Sequence, residues 1–276
     1  MYQIVVVRKL QGRGIFVTEN RNEPNTAMTP RPDGIKELPV ILGRKLAAKE
    51  RRNLLESRNK MKRDFGGEEC HISPSAIGDK SIKGPCMHCP ICFTYGGLVS
   101  GGSFNYGRAA IVLYDDAFNL GDSRFETLTF NSVDDRTQRT GQALGTESFV
   151  YGGTFVGVIT VKHDDLSILN LVLDAVLSTG SYGARDKYYG RMMNAIPLII
   201  KTSRPLLTSY DIVSKIKTTE EINTVIVSEV NKLATDSFEI IQMPKLGSHE
   251  EILREAHRLE DLKAWYAEVD SYKGRS

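Results

Sequence analysis

The sequence predicts an α+β fold, and three observations carry that prediction. β-rich runs are spread through roughly the first 200 residues (YQIVVV, RAAIVLY, FVYGGTFVGVITVK, AIPLIIK). A strongly helix-forming segment, rich in Ala, Leu, Lys and Glu, interrupts them from Arg44. From Ser209 onward the chain is mostly helical, with TTEEINTVIVSEVNKLATDSF and HEEILREAHRLEDLKAWYAEVDSY as the clearest segments.

The bulk numbers set the bounds. A chain of 276 residues is long enough for a real core. The charges nearly cancel, 36 Lys and Arg against 34 Asp and Glu, so total charge announces no nucleic-acid partner and its distribution must carry that argument. No apolar run approaches the roughly 20 residues of a membrane helix. MYQIVVVRKLQGRG lacks a basic lead-in and a small-residue cleavage site, so it reads as a strand and not a signal peptide. The expected setting is the cytoplasm, with no membrane partner and with thiols kept reduced.

Along the chain, Tyr2 to Val7 and Gly14 to Thr18 read as the two strands of a hairpin. Residues 20–35, ENRNEPNTAMTPRPDG, read as loop. In the helix that follows, Leu46, Ala47, Leu54 and Met61 share a face. Arg44, Lys45, Lys49, Arg51, Arg52, Arg58, Lys60, Lys62 and Arg63 take most of the remaining circumference, opposed by Glu50 and Glu56. A solvated helix usually interleaves both signs to gain i,i+4 pairs. This one scarcely does, and Lys45, Lys49, Arg51 and Arg52 read as a phosphate-binding strip ahead of a merely solvated face.

Four cysteines cluster next: Cys70 in GEECHIS, then Cys86, Cys89 and Cys92 in CMHCPICFTYGG. Two overlapping Cys-x-x-Cys turns with a fourth thiolate returning from a loop are the ligand pattern of a structural Zn2+ site. An iron–sulfur cluster accepts the same ligands. His71 or His88 could replace Cys70, but thiolate softness favours the cysteine. Such a knot fixes residues 64–106, whose own apolar content is too small to fold alone.

Arg124–Phe130 alternates as a strand with one wet face. SVDDRTQRTGQALGTES, with Arg136 and Arg139, is too polar for a core and reads as a projecting hairpin or finger between two strands. The acidic pairs Asp115-Asp116 and Asp134-Asp135 read as loop caps and finger polarity. Asp165 is placed to cap the helix LSILNLVLDAVLS, which Thr179-Gly180 ends. In STGSYGARDKYYGRMMN, glycines surround tyrosines and basic residues. Glycine lets a backbone approach a ligand, tyrosine offers a stacking face, and arginine offers a phosphate contact. No Walker pattern is present. In the last helical stretch Ile252, Ala256, Leu259, Leu262 and Tyr266 lie near one face that packs on the domain or on a neighbour.

GRKLAAKERRNLLE, CMHCPICFTYG, LTFNSVDDRTQRTG, FVGVITVKHDD and VLSTGSYGARDKYYGRMMN, in that order over roughly residues 2–200, resemble the type I-D CRISPR backbone subunit, the repeated protein of a Cascade-like effector. The resemblance implies an RRM/ferredoxin-like core of the RAMP superfamily within one hand-shaped domain (1–276). It also implies a zinc-binding insertion (64–106), a thumb hairpin (133–148) and a C-terminal helical part (205–276). It implies many copies along one CRISPR guide RNA, displaying it to a target strand beside other effector subunits. Gly43, Arg44 and Lys45 would then meet the guide backbone. The thumb, with Arg136 and Arg139, would reach towards the RNA on the next copy, and the turn of Gly180, Ser181, Tyr182, Gly183 and Arg185 would bind the guide. The zinc insertion would be a peripheral subdomain able to line the target's path.

Two rival readings stand beside this one. Backbone subunits of type III effectors resemble the chain near DGIKELPVILGRKLAAKERR, and there an aspartate cuts the target with metal help. Asp33 sits in about that place, though a Pro-Asp-Gly turn needs no catalytic role. The other rival is a free-standing zinc-containing RNA-binding module that does not assemble.

Overall fold

The computed structural model describes residues 1–18, 23–72, 84–99, 106–133, 136–233 and 238–273. In chain order its strands are β1 (Tyr2–Leu10), β2 (Arg13–Gly14), β3 (Thr26–Arg31), β4 (Gly34–Ile41), β5 (Gly97–Val99), β6 (Tyr106–Arg108), β7 (Val112–Tyr114), β8 (Ala117–Asn119), β9 (Arg124–Val133), β10 (Thr140–Tyr151), β11 (Thr154–Val161), β12 (Met192–Lys201) and β13 (Glu239–Ile241). The helices are α1 (Gly43–Lys60), α2 (Pro90–Tyr95), α3 (Leu166–Ser178), α4 (Ser209–Lys215), α5 (Val227–Leu233), α6 (His249–His257) and α7 (Glu260–Lys273).

β1 is nearly continuous in apolar residues because both of its faces are covered. Tyr2, Ile4 and Val6 pack with α1, α3, α6 and α7 on one side. Val5 packs with α4 and α5 on the other. β1 pairs antiparallel with β11 from Tyr2↔Val161 to Lys9↔Thr154, and with β12 across a bulge between Val5 and Val7. The sheet runs β13-β12-β1-β11-β8-β4-β3, with β7 also paired to β11. The chain order β1, α1, β7, β11, α3, β12 is therefore a β-α-β-β-α-β path with β1 between its last strand and β11. Buried Gln3 ties the sheet to the segment before α4. Its Nε2 donates to Leu207 O (2.8 Å), and its Oε1 accepts from Leu206 N (2.6 Å) and Leu207 N (3.0 Å).

Several sequence expectations need correction. Gly14–Thr18 does not pair with β1. Only Arg13 and Gly14 form a strand there, and they pair with β10, while Ile15 and Phe16 are buried without strand pairing. Residues 26–31 are not loop: they pair with β4 at the edge of the sheet, where Pro30 is tolerated. On α1 the buried set is not purely apolar. Glu50, Arg51 and Arg58 lie inside with Leu46, Leu54 and Leu55. Asp165 does cap α3, accepting Ser167 N at 2.7 Å. No helix among the described residues is long and apolar enough to cross a membrane.

Candidate nucleic-acid interface and metal centre

The N-terminal half of α1 and the glycine-rich loop after α3 share one cleft of about 210 Å³. Lys45, Lys49 and Arg52 line it from the helix; Tyr182, Gly183 and Ala184 line it from the loop. Packing explains the juxtaposition. Gly43 starts α1 hard against the β7–β8 connection, where a Cβ would collide with the Tyr114 carbonyl oxygen. Asp116 Oδ1 accepts the Gly43 N–H at 2.7 Å. Gly183 adopts φ +95, and a Cβ there would stand 2.5 Å from Ile15 O; Ile15 O accepts the neighbouring Ala184 N–H at 2.9 Å. Both glycines serve close backbone approach within the protein.

Beneath the cleft lies a buried polar network. Arg8 Nη2 meets Glu50 Oε1 at 2.7 Å, and Tyr182 OH donates to the same oxygen at 2.8 Å. Tyr114 OH donates to Glu50 Oε2 at 2.6 Å, and Asn194 Nδ2 donates to Tyr182 OH at 3.0 Å. Burial, then the Glu50 charge, pushes the Tyr182 and Tyr114 phenols up, so both stay protonated donors. Sequence reasoning missed this network. Its signals were an arginine inside an apolar strand and Glu50 among the bases of α1.

The candidate RNA residues divide into groups. Arg44, Lys45 and Arg52 are exposed. Gly180 and Gly183 are exposed and Ser181 is half-buried; Ser181 bridges to Arg191. Arg136 and Arg139 are exposed beyond β9. Gly43, Arg51 and Tyr182 are buried. Gly43 fills a packing site, Arg51 sits on the inner face of α1, and Tyr182 spends its hydroxyl on Glu50. Lys49 is bonded across the cleft to Asp186. Arg185 forms a two-pronged pair with Glu147, Nη2–Oε1 2.7 Å and Nη1–Oε2 3.1 Å, which ties the loop to β10.

β9 and β10 form a ladder from Thr140↔Val133 to Tyr151↔Arg124, with irregularities on either side of Ala143. The paired strands thus extend outside the segment 133–148, back to Arg124 and on to Tyr151. Asp134 and Asp135 lie outside the described residues.

All four cysteine ligand atoms converge within 4.8 Å of one another. Cys70 and Cys92 sulfurs are 3.4 Å apart, and Cys89 and Cys70 sulfurs 3.9 Å. A tetrahedral ion at about 2.3 Å from each sulfur would space them by about 3.8 Å, so the set fits a single ion. The Cys86 N–H donates to Cys70 Sγ at 3.4 Å, the His88 N–H to Cys86 Sγ at 3.4 Å, and Arg58 Nη2 to Cys86 Sγ at 3.5 Å. Hydrogen bonding among the sulfurs, Cys70 first, and burial push the Cys92 thiol well up. A cation at the centre reverses that preference. His88 turns away: its ring stacks on Tyr266 and its Nε2 meets Asp270 Oδ1 at 2.9 Å. His71 lies near Glu69 at the surface.

The cysteine loop is roofed by the C-terminal helices. Leu253, Ala256, Leu262, Trp265 and Val269 share one core with Cys70, Cys89, Ile91, Cys92 and Phe93. Trp265 Nε1 donates to Tyr106 OH at 2.8 Å, and the Arg108 guanidinium lies 4.0 Å from the Phe93 ring centre. The amphipathic face of these helices therefore packs on its own domain.

Asp33 stands at the tip of the β3–β4 hairpin, where Arg31 pairs with Gly34. Its exposed carboxylate accepts from Lys36 Nζ at 2.5 Å, and that bond holds it below the usual carboxylate range. Among the described residues, the one cluster of three or more His, Cys, Asp or Glu side chains able to share an ion is the cysteine set.

The family model described as Csc2 Crispr matches residues 1–276. The chain belongs to the Csc2 family. The crystal structure of Thermofilum pendens Csc2 is similar at 19% identity and TM-score 0.59, over 99% of this chain and 87% of that one. A chain of a structure described as a CRISPR RNA-guided surveillance complex, pre-nicking, is similar at 11% identity and TM-score 0.50, over 84% and 87%. Both likenesses concern the fold. Comparison with curated proteins finds no match.

Proposed function

We propose that this Csc2-family chain is the guide-RNA-binding backbone subunit of a type I-D CRISPR effector, repeated along the guide and displaying it for target pairing. The observation that carries this reading is the shared cleft. Exposed Lys45 and Arg52 on α1 face the glycine-rich loop across a backbone-lined groove. Cations with exposed main chain suit phosphate binding without base reading. Sequence selection is then left to guide pairing. The β-α-β-β-α-β path corresponds to an RRM-like core, and the β9–β10 hairpin, tied to the loop by Arg185–Glu147, to the thumb.

In this reading the cysteine site holds Zn2+, which draws the loop before α2 and the loop after α1 into one knot. Convergence of the sulfurs within 4.8 Å suits one ion better than a polynuclear iron–sulfur core. The subunit is a scaffold and not a nuclease. Asp33 is the turn residue of an edge hairpin, paired to Lys36.

The test is the salt dependence of single-stranded RNA binding by Lys45→Gln/Arg52→Gln. Loss of two phosphate contacts lowers the log–log salt slope by about 1.4. An unchanged slope takes this cleft out of the interface.

A further inference from the structure

A second cleft, of about 630 Å³, opens on the same loop and shares only Asp186 with the first among their lining residues. The loop's three tyrosines are divided between the interior and the surface. Tyr182 is buried on Glu50. Tyr189 packs edge-on to Phe149, with the Arg13 guanidinium 4.8 Å from its ring centre. Tyr188 alone turns outward, 81% exposed. Beside it in the cleft stand exposed Lys187 and Arg191. The neighbouring cations of this site are committed, Arg185 to Glu147 and Lys49 to Asp186. No ion pair engages Lys187 or Arg191 among the described residues.

We propose that Tyr188 is a stacking platform for an unpaired base of single-stranded nucleic acid, with Lys187 and Arg191 holding the adjacent phosphates. An outward aromatic face flanked by two unpaired cations is the sequence-tolerant combination that single strands use. It is of little use to a duplex, whose bases are already stacked. The inference rests on the nucleic-acid reading of the protein but concerns a different cleft, so the two can fail separately.

The test uses the purified full chain, stripped of nucleic acid, with single-stranded RNA and single-stranded DNA carrying 2-aminopurine as fluorescent base. Tyr188→Ala is expected to weaken binding by about fivefold to hundredfold, from the stacking of one base, without changing the salt slope. It should also abolish part of the 2-aminopurine quenching. Tyr188→Phe keeps the ring and should bind as wild type. Lys187→Gln/Arg191→Gln should lower the slope by about 1.4. The exposure of Tyr188 leaves the melting temperature unchanged, which controls for folding. A loss on RNA alone, on DNA alone, or on both supports the site and names its strand. Wild-type affinity and quenching in Tyr188→Ala, alongside weakened Lys45→Gln/Arg52→Gln, overturns this site and leaves the first cleft standing. Failure of the wild-type chain to bind either strand at low salt overturns both.

Discussion

Arg8 and Glu50 form an ion pair in which neither side chain reaches solvent, with Nη2 and Oε1 2.7 Å apart. The pair joins the central strand to the basic helix, and through Tyr182 it reaches the glycine-rich loop. The cleft therefore rests on a polar post and not on apolar packing alone. Breaking such a post leaves a charge buried without its partner.

Glu50→Ala should lose about 3–5 kcal/mol of unfolding free energy, measured by urea denaturation. Arg8→Met/Glu50→Leu, which removes both charges at similar volume, should recover most of that loss. Equal losses in the single and double variants would show that the pair is not the stabilising element.

In the zinc reading of the cysteine set, chelation should lower the melting temperature by at least about 10 °C. The loss should be local at first. Amide exchange in α6 and α7 should rise towards free exchange while β1 and β11 stay protected, because Trp265 and Leu262 pack on the cysteine loop. Cys92→Ser should reproduce the effect without chelator. Unchanged protection of α7 after complete metal removal contradicts the coupling.

Burial pushes the Asp115 carboxyl up, against the opposing bonds from Ser209, whose N–H it accepts at 2.9 Å. A raised folded-state pKa means that the native protein holds the proton more tightly than the unfolded chain. The contribution of Asp115 to stability is therefore greatest below the ordinary carboxylate range and falls as pH rises from about 4 upward. Asp115→Asn keeps an acceptor for Ser209 and removes the titration. Urea midpoints between about pH 4 and 6 should fall less steeply in the variant than in the wild type. Parallel curves contradict the assignment.

The sequence made the cysteine set legible because Cys-x-x-Cys spacing is itself a geometric statement. It made α1 and the Asp165 cap legible because helix propensity and capping are local. It hid what depends on distant partners. Arg58 reads as one more surface charge, yet it lies under the knot, donating to Cys86 Sγ and to the Phe65 carbonyl at 3.4 Å. Arg51 is likewise inside, since a helix with a cysteine loop on one side and the sheet on another has little solvated face left. Thr26–Arg31 carries a proline and weak alternation, so its strand is visible only once β4 supplies the partner. Phe16 and Ile15 look like a strand but fill the core beneath the cleft without one. The roles of Trp265 and Tyr266 follow from where the last helices dock, which no local pattern encodes.

Assembly along RNA is tested most directly by the native mass of the stripped protein with single-stranded RNAs of increasing length. A backbone subunit should add copies in regular steps as the RNA lengthens. One bound copy at every length would contradict the repeated-subunit account and leave a single-site binder.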